Sequence, residues 1–153
     1  MRPTIYLAQS GLGKTYFCQH NAGWMDLDPY PLQICGLANG EIKRCFLTLV
    51  DTNVYWGYKL LINASAWTVL TLLETNRYNL VLFYASHEMK EEICERVMNR
   101  ALARNNPEDS FAKRYPNIFD DIINTLGDIN HPRLTKIQLK PGEYVSDYLN
   151  KIV

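Results

Sequence analysis

Thr4-Ile5-Tyr6-Leu7-Ala8-Gln9-Ser10-Gly11-Leu12-Gly13-Lys14-Thr15 is a short apolar run that breaks into a glycine-rich turn and ends in a Lys-Thr pair. Thr4–Ala8 reads as a strand, and Lys14–His20 opens a helix. Between them, Gly11 and Gly13 free the backbone from side-chain clashes, so consecutive amides can point into a concave anion nest. The following helix adds its positive N-terminal end. Ala8–Thr15 fits a spacing of Ala or Gly, four residues, then Gly-Lys-Ser/Thr. In that pattern Ser10, Gly11, Leu12 and Gly13 form the cradle. Lys14 carries an ammonium to the β- and γ-phosphates, and Thr15 offers a hydroxyl to magnesium. The bland alternative is a glycine turn with a chance Lys-Thr. The strand–turn–helix setting argues against it.

Working outward, Trp24–Leu27 reads as a second strand, with Asp26 and Asp28 at its end and Pro29 and Pro31 beyond. Tyr58–Asn63 and Tyr78–Tyr84 read as buried strands, the latter apolar on both faces as a covered parallel strand must be. Ala66–Glu74 suits a helix. Ser86 is placed to cap a helix over His87–Ala103. Another helix spans Ser110–Leu126, interrupted or restarted near Pro116. Thr135–Leu139 alternates as a last strand, Lys140-Pro141-Gly142 turns, and Glu143–Ile152 reads as a closing helix. Tyr30–Tyr55 lacks a clear period, and the elements of residues 32–57 cannot be placed. Strands alternating with helices predict an α/β fold with a parallel sheet covered on both faces. Ligands of such sheets gather at the carboxyl ends of the strands. The glycine-rich loop, the Asp26/Asp28 pair and Asn63-Ala64-Ser65 all fall there.

The 153 residues suit one domain, and a hydrophobic fraction of 47% supplies a core. Lys plus Arg number 16 and Asp plus Glu 16, so the net charge is zero. That gives no electrostatic footprint for nucleic acid, and any anion site must be local. Cys18, Cys35, Cys45 and Cys94 form no CxxC pair or zinc spacing. They read as reduced thiols of a cytoplasmic protein, a Cys35–Cys45 disulfide being the alternative. No signal-peptide pattern occurs, and no apolar stretch approaches the roughly 18 residues of a membrane span. Oligomeric state is left open.

Three further groups are candidates. Asp26 and Asp28 could hold magnesium through water or orient an acceptor, the alternative being a solvated turn or cap before Pro29. Arg96, Arg100 and Arg104 recur every four residues, nearly on one helix face, and guanidinium forks suit phosphate oxygens. The alternative for Arg96 is an ordinary i,i+4 pair with Glu92. Lys113 and Arg114 extend this set into a lid spanning 96–114. His87 and His131 read as cap or surface residues. Trp24, Tyr30, Tyr55, Trp56 and Tyr58 read as core before base-stacking platforms.

The order AQSGLGKT, WMDLDPY, YKLLINAS, YNLVLFYASHEMKEEICERVMNRALARNN and IQLKPGEYVSDYL resembles the small phage-type P-loop nucleotide kinases, adenylate kinase-like or deoxynucleoside monophosphate kinase-like. The resemblance covers most of the chain except about 32–57. It implies a three-layer P-loop NTPase fold of the nucleoside monophosphate kinase type. It also implies transfer of the ATP γ-phosphoryl group to a (deoxy)nucleoside monophosphate. ATP and Mg²⁺ would engage Lys14 and Thr15, Asp26 or Asp28 would lie near the metal or acceptor, and Arg96, Arg100 and Arg104 would form the lid. Asn63-Ala64-Ser65 departs from the Ser-Ser-His or acidic signature more usual there, and no Walker-B aspartate follows an apolar strand. Two alternatives follow: a shikimate- or gluconate-kinase-like enzyme, and a nucleotide-binding protein without catalysis. A nucleic-acid 5′-kinase is disfavoured by the zero net charge.

Overall fold

The strand β1 (Thr4–Ala8) sits in the middle of the sheet because it can be buried on both sides. Ile5 and Leu7 enter one apolar layer and Ala8 the other. In a computed structural model that describes residues 1–152, five parallel strands run in the order β2-β3-β1-β4-β5. The remaining strands are β2 (Trp24–Leu27), β3 (Lys59–Asn63), β4 (Asn79–Tyr84) and β5 (Leu134–Gln138). The register sets Ala8 beside Asn63 and Phe83, so three carboxyl ends finish level. The chain is an α/β protein with a parallel sheet flanked by helices.

The helices are α1 (Lys14–Gln19), α2 (Tyr30–Gln33), α3 (Asn39–Tyr55), α4 (Ala66–Glu74), α5 (Lys90–Ala103), α6 (Ser110–Asp128) and α7 (Ser146–Leu149). One apolar layer joins Phe17 of α1, Ile93 and Val97 of α5 and Tyr115 and Phe119 of α6 to Leu61 and Phe83 of the sheet. The other joins Phe46 and Val50 of α3 and Val69 and Leu72 of α4 to Leu60, Ile62 and Leu82. Ser65 starts α4 with a capping box, accepting from the Thr68 amide while the Thr68 hydroxyl accepts from the Ser65 amide. Among the described residues, no helix is long and apolar enough to cross a membrane.

Strands β1 and β2 and helix α4 have the boundaries read from the sequence. Residues 32–57, which the sequence left unplaced, hold the whole of the 17-residue α3, whose Ile42, Phe46 and Val50 are buried at four-residue spacing. Other expectations need correction. Ser86 does not cap: its hydroxyl is buried without a partner, and a 3₁₀ turn at His87–Met89 leads into α5. α6 runs through Pro116 without a restart, because Ala112, Tyr115, Phe119 and Ile123 anchor one face on both sides of it. The closing helix is only Ser146–Leu149, since the Tyr144 amide donates to Asp147 and the Val145 amide to Leu12. Of the aromatics expected in the core, Trp24 is buried, whereas Tyr30, Tyr55, Trp56 and Tyr58 are exposed.

Removing the Phe46 ring leaves a cavity between α3 and the sheet. Phe46→Ala should lower stability by about 3–5 kcal/mol, read as a shift of the urea midpoint.

Candidate functional site

Leaving β1, the backbone turns through left-handed φ angles at Gly11 (91°) and Gly13 (88°). Space demands glycine at both positions as well. A Cβ on Gly13 would stand 2.9 Å from Tyr144 Cδ1, and one on Gly11 would stand 2.7 Å from Ile93 Cγ2. The Leu12 side chain is fully buried in the core, so only its backbone can serve a ligand. Ser10 Oγ donates to Asn63 Oδ1 at 3.0 Å and ties the loop to the end of β3.

The sequence reading missed the residue that anchors this turn. Gln9 is 1% exposed, and both ends of its side-chain amide are hydrogen-bonded. Oε1 accepts from the Ala85 amide at 2.9 Å, and Nε2 donates to Tyr115 Oη at 3.0 Å. Tyr115 Oη in turn donates to the Ser10 carbonyl at 3.1 Å. Burial pushes the Tyr115 phenol well above its ordinary range, which keeps it a donor. A glutamine within the x positions of a glycine loop carries no signal in sequence. Its role appears only when β4 and α6 close around it.

Lys14 and Thr15 both reach Asp26. The ammonium forms an ion pair with one carboxylate oxygen, and Thr15 Oγ1 donates to the other at 2.7 Å. Cys18, half-buried, is close enough to feel both charges of this group. Burial first, then Asp26, pushes its thiol up to about 11 against the opposing effect of Lys14. All four cysteines are free, so the alternative Cys35–Cys45 disulfide is not formed. Asp28 is exposed and accepts from the Tyr30 amide at 3.0 Å, in the turn ahead of α2. Among the described residues, no group of three or more His, Cys, Asp or Glu could hold a metal ion. Magnesium commonly takes one or two protein oxygens and completes its shell with water and substrate phosphates. Thr15 and Asp26 fit that need.

Beside the loop opens a cleft of about 930 Å³. Gln9, Ser10, Asp28 and Asn63 line its floor at the strand ends. Arg100 and Arg104 of the α5 end and Arg114 and Asp121 of α6 line its wall. Among the described residues, none of these three arginines makes an ion pair or a side-chain hydrogen bond. Lys113, expected beside them, pairs instead with Glu108. Arg96 is turned away from the cleft. It donates to the Gly11 carbonyl at 3.1 Å, pairs with Glu92 at 2.9 Å and stacks 3.8 Å over the Tyr144 ring. Each four-residue step along a helix turns about 40° past a full turn. Arg96 and Arg104 are thus turned about 80° apart, and the Gly11 carbonyl and Tyr144 ring draw Arg96 out of the single lid stripe. A shallower hollow of about 760 Å³ lies near the amino ends of β1 and β4. Within its lining, Arg77 and Tyr78 both donate to Asp51.

No family model matches the chain, and no curated protein matches it. A solved structure of an uncharacterized protein from Eubacterium ventriosum is similar, with a TM-score of 0.45 and 14% identity. It covers 99% of this chain and 96% of its own. A likeness this distant carries no functional argument.

Both histidines singled out earlier lie outside the loop. His131 Nδ1 accepts from the Arg133 amide at 3.0 Å. His87 bridges to α6, its Nδ1 on Asp120 at 2.7 Å and its Nε2 on Asn124 at 3.0 Å. The Asp120 hydrogen bond is the main cause that raises the His87 pKa, and the His87 bond is the main cause that lowers that of Asp120. The histidine contribution is full below its usual 6.5 and fades as pH rises through the raised value. The carboxylate contribution is full above its usual 3.8 and fades as pH falls through the lowered value. The bridge is therefore strongest between those two usual values. Asp120→Asn should bring the His87 pKa down towards its ordinary value in a proton NMR titration.

Proposed function

We propose that this chain is a P-loop phosphotransferase that moves the ATP γ-phosphoryl group to a (deoxy)nucleoside monophosphate. One observation carries the reading. Arg100, Arg104 and Arg114 line the same cleft as the start of the glycine-rich loop and hold no carboxylate among the described residues. Arginine clusters of this kind suit a phosphate that the acceptor itself brings. A neutral acceptor gives them nothing to hold.

In this reading the loop amides and Lys14 bind the β- and γ-phosphates of ATP. Thr15 and Asp26 would hold magnesium, which neutralises phosphate charge when bound. Lys14 leaves Asp26 to reach the phosphates. An oxygen of the acceptor phosphate attacks the γ-phosphorus. That bond forms as the bond to the β–γ bridging oxygen breaks, and ADP leaves with the bridging oxygen. The attacking oxygen is already ionised, so no general base is required. The protein's share is alignment and charge stabilisation by Lys14 and the arginines. Asp28 and Asn63 line the same cleft, where they would orient the acceptor.

The test is incubation with Mg-ATP and a panel of NMPs and dNMPs, with diphosphates separated by chromatography. Transfer to one or a few monophosphates is expected. Lys14→Ala and Arg104→Ala should each reduce it by about 100-fold or more, with unchanged circular dichroism. Transfer to a polyol or carboxylated acceptor instead would replace the nucleotide acceptor. Binding of ATP without transfer would overturn the enzyme reading.

A further inference from the structure

Three successive carbonyls of the loop are held on its outer side by three different elements. Ser10 O accepts from Tyr115 Oη at 3.1 Å, from α6. Gly11 O accepts from Arg96 Nη1 at 3.1 Å, from α5. Leu12 O accepts from the Val145 amide at 2.9 Å, from the segment before α7. In a trans peptide the C=O and the following N–H point in opposite directions. Holding these carbonyls outward therefore turns the amides of Gly11, Leu12 and Gly13 inward. Among the described residues, those amides donate to no protein group.

The first tether is directional. The Ala85 amide can only donate, so it fixes Gln9 Oε1 as the acceptor and leaves Nε2 facing Tyr115. Tyr115 Oη accepts that bond and has one proton left, which goes to Ser10 O. Gln9 and Tyr115 are 1% and 0% exposed, so water cannot substitute for a lost member. The second tether is braced too. Glu92 holds Arg96 at 2.9 Å and also accepts from the Gly142 amide at 2.8 Å.

We propose that Tyr115, oriented by Gln9, and Arg96 are positioning residues that aim the amides of Gly11 and Leu12 at the bound phosphate chain. This rests on the phosphotransferase reading of the loop. Arg96 then acts from behind the loop, whereas Arg100, Arg104 and Arg114 act from the cleft. Because Tyr115 follows Arg114 on α6, the helix that lines the cleft also sets the entry of the loop.

The test uses the full chain, Mg-ADP as ligand, calorimetry and amide NMR. Tyr115→Phe keeps the packed ring and removes only the hydroxyl. Gln9→Glu offers a carboxylate that captures the Tyr115 proton and releases Ser10 O. Each should weaken Mg-ADP binding by about 10-fold, the effect of misaiming one charge-assisted bond. The response of the Gly11 amide to ligand should be lost while those of Lys14 and Thr15 remain. That selectivity separates positioning from general loosening. Arg96→Met keeps the apolar stem and should remove the Leu12 response instead, which covers the case in which Tyr115→Phe does not fold. Folded variants that bind within about two-fold of the parent, or that lose all loop responses together, would overturn the inference alone. A parent chain that binds no Mg-ADP would overturn the phosphotransferase reading, and this inference with it.

Discussion

The glycine-rich loop depends on how one buried amide is satisfied. Gln9 leaves β1 with no access to water, and both ends of its side chain must find partners inside the protein. It finds them on the Ala85 amide beyond β4 and the Tyr115 hydroxyl of α6. That arrangement is possible only because β1 and β4 end level, as their register dictates. Two glycines with left-handed φ then carry the chain over Ile93 and under Tyr144. The loop is thus shaped from outside by α5, α6 and the C-terminal segment, and its inner side is left to amides.

Two groups of basic side chains flank this loop. Lys14 and Thr15 share Asp26 at its inner end, and Ser10 bonds Asn63 at its entry. Across the cleft stand Arg100, Arg104 and Arg114. Asp28, Glu108, Asp109 and Asp121 line the same cleft, yet among the described residues none of them pairs with the three arginines. A few unpaired arginines in one cleft suit a small polyanion, whereas nucleic acid needs an extended basic surface.

Much of this was legible in sequence, for identifiable reasons. Thr4–Ala8, Trp24–Leu27 and Ala66–Glu74 combine strong local preference with sharp punctuation by glycine, asparagine, aspartate or a serine cap. α3 was not legible because it starts at Ala38 without a side-chain cap and carries Thr48, Val50, Thr52, Asn53 and Val54, all modest helix formers. Its stability comes from Ile42, Phe46 and Val50 packing on the sheet. In the site, the loop, Asp26 and the cleft arginines Arg100 and Arg104 were visible as spacings. Gln9, Tyr115 and Tyr144 were not, because their roles come from contacts between residues far apart in sequence. Arg96 was misplaced because its spacing suggested a shared face, while the Gly11 carbonyl and Tyr144 ring captured it on another.

The central claim is that one chain holds two phosphate-bearing ligands end to end, one in the loop and one on the cleft arginines. The most direct measurement is calorimetric titration with a bisubstrate analogue, two nucleosides joined by a pentaphosphate chain. Binding of one molecule per chain at least about 100-fold tighter than Mg-ATP is expected, with the gain lost in Arg114→Ala. An analogue that binds no tighter than ATP, or that keeps its advantage without the cleft arginine, would contradict the account.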